Sequence, residues 1–170
     1  MDATPTPGHL RRVLGSFASG VVIVTGNDDG RPVGFTCQSF ASVSLDPPLV
    51  LFCPAHTSRS WPLIRASGRF AVNVLAADQR QTCLRFALSG ADKFTGVDWE
   101  PTPWGPTLAG SLSTVLCSVE HVHPGGDHDV VVGRVERLAT HRDEPALLFF
   151  RGGYGQAPCQ SDADTSLAAP

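Results

Sequence analysis

Apolar positions along the chain change period several times, and each change marks an element. Leu10, Val13, Leu14 and Phe17 recur at helical spacing, and Gly20 stands where a left-handed cap would end the turn. Residues 9–18 are therefore predicted to form one amphipathic helix lying against a sheet. Val21 to Thr25 is β-branched, and Asn27-Asp28-Asp29-Gly30 is a turn signal, so a hairpin into the next stretch is the economical reading. That stretch, Val33 to Pro54, is the part around which the rest is arranged. Its first half sets the small side chains of Thr36, Cys37, Gln38 and Ser39 near Gly34, whose missing Cβ would let a flat ligand approach the backbone. Asp46-Pro47-Pro48 breaks the run, because prolines supply no ladder N–H, and Leu49 to Cys53 restarts as a short apolar strand. Two strands are expected to meet at a polar notch, where Phe35, Phe40 and Phe52 can cover the apolar parts of a planar heterocycle.

After the notch, a serine in Ala55 to Pro62 can cap a short helix running to about Ala66, with a proline in its first turn. Ser58, Arg59 and Ser60 at such a helix start suit a phosphate, and Lys93 can add a second charge. The plainer alternative is that Ser60 only caps and Arg59 is only solvated. Phe70 to Leu75 alternates as a strand and Asp78 to Leu88 fits a helix, while residues 95–110 are too punctuated by proline and glycine for regular structure. Leu112 to His123, Val130 to Leu138 and Ala146 to Phe150 read as strands, the first two joined through Pro124 to Asp129. Residues 155–170 lack periodicity and are expected to form a disordered tail. Strands outnumber helices and most neighbours can pair by hairpins. The prediction is a mainly β domain over residues 9–154, a small antiparallel barrel with peripheral helices.

Composition narrows the function classes. A chain of 170 residues with 42% hydrophobic content can bury a core without disulfides. Its formal net charge of −3, with basic residues scattered singly, argues against nucleic acid and membrane surfaces as partners. The first residues carry no leader pattern and no apolar run has the length of a membrane span, so a cytoplasmic location is expected. Cys37, Cys53, Cys83, Cys117 and Cys159 form no CxxC pair, which suggests neither a disulfide framework nor a zinc knuckle. Cys37 stands apart because it falls in the notch.

Residue spacing bears on three chemistries. His121 and His123 alternate onto one strand face with Asp127 downstream, which imitates half of a cupin metal motif. Val115 replaces the usual upstream glycine, no HxxxN segment follows, and two ordinary strand histidines are the alternative. Nucleophilic hydrolysis lacks a GxSxG elbow. His128 sits after a glycine pair with an aspartate on either side, able to fold over a site or simply exposed.

A wider set of segments carries a resemblance from about Leu10 to Tyr154. GFTCQSFASVSLDPPLVLFCP at 34–54, SRSW at 58–61, FAVNVL at 70–75, RFA and DKF within 85–94, GGDHDVVVGRV at 125–135 and LLFFRGGY at 147–154 stand in order. Together they make the chain similar to the short-chain flavin reductases, the reductase partners of two-component flavin monooxygenases. The resemblance implies a homodimeric FMN-binding split β-barrel that reduces free FMN or FAD with NADH and supplies reduced flavin to a separate monooxygenase. It places Thr36, Cys37, Gln38, Ser39 and Ser42 along the isoalloxazine and ribityl chain, with Cys53 and Pro54 on the adjacent strand. It puts Ser58, Arg59, Ser60 and Lys93 at the phosphate end, supported by Arg85 and Phe94, and His128 with Tyr154 near the nicotinamide. Cys37 and Gln38 stand where many relatives have alanine and asparagine. No GxGxxG turn is present, so NADH has no Rossmann domain and must bind on the flavin. Competing readings are a flavin-binding module without turnover and a cupin-like metal enzyme.

Overall fold

The computed structural model describes residues 4–90 and 92–157. A helix comes first, α1 (Pro7–Leu14), then β1 (Ser19–Gly20), β2 (Val22–Asp28), β3 (Arg31–Cys37), β4 (Ala41–Leu45) and β5 (Pro48–Phe52). Next come α2 (Trp61–Ser67), β6 (Arg69–Val74), a 3₁₀ turn at Ala77–Gln79 and α3 (Arg80–Ala87). The second half holds β7 (Trp99–Glu100), β8 (Thr107–Leu108), β9 (Ser113–Gly125), β10 (His128–Thr140), β11 (Leu147–Phe150) and β12 (Gly153–Gln156). The mainly β expectation is met. Seven strands form one antiparallel sheet in the order β3-β2-β6-β9-β10-β5-β4.

β3 and β4 lie at opposite edges of that sheet, yet only Gln38, Ser39 and Phe40 separate them in the chain. Four residue steps reach at most about 14 Å. Laid flat, seven strands would span roughly 29 Å. The sheet must therefore curl until its edges approach, giving a barrel left open along a seam between β3 and the β4–β5 hairpin.

β2 is buried on both faces, which is why its apolar run is continuous. Val22 and Val24 face the barrel interior with Val50, Phe52, Phe70, Val72 and Val131. Val21 and Ile23 face outward into a second cluster with Leu75, Cys83, Phe86 and Leu147. Phe52 anchors the interior, its ring edge-on to Phe70 at 5.0 Å and to Trp61 at 5.6 Å. The loop of residues 101–110 is pinned by buried Asn73, which accepts from Leu108 N–H at 2.8 Å, and by Thr25, which donates to the Pro106 carbonyl at 2.6 Å.

Several local expectations change. α1 starts two residues early because the Thr6 hydroxyl accepts the His9 N–H and Pro7 fits the first turn. It ends at Leu14, while Gly20 pairs with Leu148 instead of capping it. Nor does α1 lie on the sheet: none of its residues is buried. The expected loop at 95–110 contains the short β7–β8 ladder. Within the expected tail, Gly155 and Gln156 complete β12 against β11, and residues 158–170, with Cys159, lie outside the described residues.

Gly133 on β10 exposes the tightness of the interior. A Cβ there would fall 2.3 Å from Phe70 Cζ, with Phe70 fully buried. Gly133→Ala is expected to cost about 1–3 kcal/mol in urea unfolding, the usual range for overpacking. A change within about 0.5 kcal/mol, as for surface substitutions, would show that Phe70 has room to shift.

Candidate functional site

The barrel seam opens into a cleft of about 780 Å³. One wall is β3 and the crossing after it, with Thr36, Cys37, Gln38 and Ser39; the facing wall is Cys53, Pro54 and the segment through Ser58, Arg59 and Ser60. The end of α3 and the following turn close one side with Phe86, Gly90, Lys93 and Phe94, and His128 and Tyr154 enter from β10 and β12. Of the expected site residues, Ser42 and Arg85 alone fall outside this lining. Ser42 is exposed on edge strand β4, and Arg85 lies on the exposed face of α3, donating to the Thr95 carbonyl of the turn that carries Lys93 and Phe94.

Hydrogen bonds within the cleft fix most of its polar groups. The Ser39 hydroxyl accepts the Cys53 N–H at 2.8 Å and donates to the Cys53 carbonyl at 3.3 Å, stitching the crossing to the end of β5. Thr36 donates to the Cys83 carbonyl at 2.7 Å, tying β3 to α3. Ser60 precedes α2 but makes no side-chain cap bond; it donates to the Gly34 carbonyl at 2.9 Å, and Ser58 accepts the Trp61 N–H instead. Lys93 Nζ donates to the carbonyls of Gly34 and Phe86, each at 3.0 Å, and burial lowers its pKa. An ammonium carries three N–H groups, so one remains for the cleft. Arg59 reaches across the cleft to Gly90, where a Cβ would come within 3.2 Å of its Nη1. Among the described residues, neither Arg59 nor Lys93 pairs with a carboxylate.

Two expectations about the notch are revised. The space beside Gly34 is filled by Phe86, whose Cε1 would lie 2.9 Å from an added Cβ, so the glycine serves helix packing. Phe52 belongs to the barrel interior, which leaves Phe35 as the aromatic of that set lining the cleft. Cys37 is buried, and burial pushes its thiol pKa up, which keeps it neutral rather than nucleophilic. The part of the lining not anticipated from sequence is the turn of Leu88, Ser89 and Gly90 after α3; the Ser-Gly pair was its one signal.

Beside Ala55, with which it forms a bridge, His128 has its Nδ1 2.7 Å from Asp127 Oδ1, and this bond holds the Asp127 carboxyl below its usual range. With Nδ1–H donated to the carboxylate, Nε2 is the nitrogen left for the cleft. Asp127, the third member of the metal set that His121 and His123 imitate, is thus turned to His128. The His121 and His123 rings sit 5.8 Å apart on β9.

The family described as flavin reductase like domain matches residues 14–158. The chain belongs to the flavin reductase family. A reductase subunit named HsaB, of a flavin-dependent monooxygenase from Rhodococcus jostii (strain RHA1), is 58% identical over 149 residues, 87% of this chain and 76% of that protein. A crystal structure of a nitrilotriacetate monooxygenase component B homolog from Mycobacterium thermoresistibile superposes with a TM-score of 0.84 at 49% identity, covering 94% of each chain. The NADH:FAD oxidoreductase SgcE6 of Streptomyces globisporus, in complex with NAD and FAD fragments, gives 0.84 at 35% identity, covering 92% of this chain and 94% of that one. For this flavin reductase, the split-barrel expectation holds, with the sheet left open along the seam.

Tyr154 offers a clean reporter of the reductase cleft, since the chain has one tyrosine. Its phenol accepts from Cys83 Sγ at 3.4 Å, and burial, more than that bond, raises its pKa to about 12. Phenolate absorbance is therefore expected to develop around that value rather than near the ordinary 10.0. A midpoint at the ordinary value would put the hydroxyl in open water.

Proposed function

We propose that this chain reduces free flavin, FMN or FAD, with NADH in the seam cleft and hands the reduced flavin to a separate monooxygenase. The observation that carries this reading is that one cleft gathers a polar edge, two cations that meet no carboxylate among the described residues and a histidine presented by a hairpin end. Its volume of about 780 Å³ is within the usual range of small-molecule sites. The donor set fits a flavin: Gln38 and Ser39 offer an amide and a hydroxyl to a ring edge, Phe35 offers an apolar face, and Arg59 and Lys93 offer charge to a phosphate.

When bound, NADH and flavin would supply the redox chemistry, a hydride from the nicotinamide together with a proton from water reducing the flavin. The protein's part is position. Ser39 keeps the seam walls in register through both Cys53 backbone groups. The Lys93 ammonium is held by two carbonyls, so little side-chain freedom is lost when its remaining N–H meets an anion. His128, oriented by Asp127, would border the nicotinamide with Tyr154, both residues lining the cleft, and no protein acid or base is needed at the reacting atoms. Cys37, Pro54, Ser58, Ser60 and Phe94 complete the flavin's surroundings.

Mixing the purified protein with NADH and either flavin should give flavin-dependent loss of nicotinamide absorbance. Retention of flavin without turnover would favour a flavin-binding module instead. Arg59→Ala should weaken FMN about tenfold more than riboflavin, because a charge-assisted contact to the phosphate is lost. Equal loss for both ligands would remove Arg59 from the phosphate end.

We further propose a cytoplasmic homodimer. Leu10, Val13, Leu14 and Phe17 near α1 and Val43 and Leu45 on β4 are exposed apolar side chains that a second copy would cover. No helix among the described residues is long and apolar enough to cross a membrane. Light scattering is expected to give twice the chain mass; the mass of one chain across a concentration series would exclude the dimer.

A further inference from the structure

His128 owes its place to a turn that has to be held. The β9–β10 hairpin closes through Gly126 and Asp127, and its tip would project freely if nothing tied it to the cleft wall. Two backbone bonds do so: Asp129 N–H donates to the Pro54 carbonyl at 3.0 Å, and His56 N–H donates to the Asp127 carbonyl at 2.9 Å. Ala55 and His128 form the bridge between them.

The side chain of Asp129 adds a third tie. Successive residues of a strand face opposite ways, so while His128 borders the cleft, Asp129 points behind its wall. There Asp129 Oδ2 accepts the Trp61 Nε1–H at 2.7 Å, Oδ1 lies 3.1 Å from His56 Nε2, and Arg65 Nη1 stands 3.7 Å from Oδ2. Trp61 is buried, with its ring against Phe52, so its indole N–H has a fixed direction. The Asp129 side chain is only 14% exposed. The Trp61 bond, more than the neighbouring His56, holds its carboxyl below the ordinary range, so it is ionised at neutral pH.

We propose that Asp129 is a positioning residue for the reaction, its carboxylate clamping the His128 end of the hairpin to the Pro54–Trp61 wall by accepting the Trp61 indole N–H. This rests on the reading above that His128 borders the nicotinamide. The clamp anchors the hairpin on Trp61, whose buried ring is fixed against Phe52 independently of it. What it controls is the placement of His128, not the seat of the flavin.

Asp129→Ala is expected to speed amide exchange at residues 56 and 129 about tenfold while the β2 and β6 amides keep their rates, a local rather than global opening. The NADH KM should rise about tenfold, the scale of one hydrogen bond to a charged group, with flavin affinity changed less than about twofold. Asp129→Asn keeps an oxygen that can accept the Trp61 N–H and should restore most of the NADH KM. Trp61→Phe, which removes the donor and keeps an aromatic ring, should reproduce the faster exchange and provides a second route if the alanine variant folds poorly. Unchanged exchange with unchanged NADH KM in Asp129→Ala would overturn the proposal, as would parallel losses in flavin affinity and NADH KM, or no recovery in Asp129→Asn. Lack of NADH oxidation by the unsubstituted protein would instead overturn the reductase reading, while amide exchange would still read the clamp.

Discussion

The three residues between β3 and β4 set the shape of the molecule. Gln38, Ser39 and Phe40 must carry the chain from one edge of a seven-stranded sheet to the other, which a flat sheet does not allow. Curling follows from chain length alone. The curl stops short of closure, and the unpaired backbone along such a seam would ordinarily be a liability. Here the Ser39 hydroxyl meets both backbone groups of Cys53 across the gap. The place where the barrel fails to close is therefore also the place where its polar groups are most tightly organised.

That organisation extends along the cleft. Thr36 and Lys93 bind carbonyls of α3, and Ser60 and Lys93 meet at the carbonyl of Gly34, so β3, α3 and the start of α2 share one set of bonds. A site built this way is ordered before a ligand arrives, and the ordering entropy falls on folding rather than on binding. Phe86 takes the space beside Gly34 and makes the helix part of the wall.

What the sequence disclosed follows what determines each element. β2, β6 and the long β9–β10 pair were legible because β-branched and apolar residues repeat at strand spacing. β12 was not, because Gly153-Tyr154-Gly155-Gln156 has no apolar alternation and becomes a strand only by pairing with β11. The start of α1 lay in Thr6 and Pro7, upstream of the apolar period that marked the helix. Ser42 shares a motif with Ser39 but falls beyond the crossing, on an exposed edge strand, a distinction that only the curl of the sheet makes. Asp129 was visible merely as a neighbour of His128; its partners Trp61 and His56 are about 70 residues away in the chain, a separation no local pattern encodes.

The cations of the cleft, which meet no carboxylate among the described residues, make the charge balance near the site differ from that of the whole chain. The chain as a whole carries a formal charge of −3, so from afar it presents a weakly repulsive surface to any anion. In the cleft lining Arg59 and Lys93 outnumber the carboxylate of Asp92, which is held by the Phe94 and Thr95 donors of its own turn, so the local balance is positive. At physiological ionic strength the screening length is about 8 Å, which mutes the distant repulsion more than the contact attraction. An anionic ligand would thus meet favourable charge only at short range, within the cleft, and would not be gathered from solution by long-range steering.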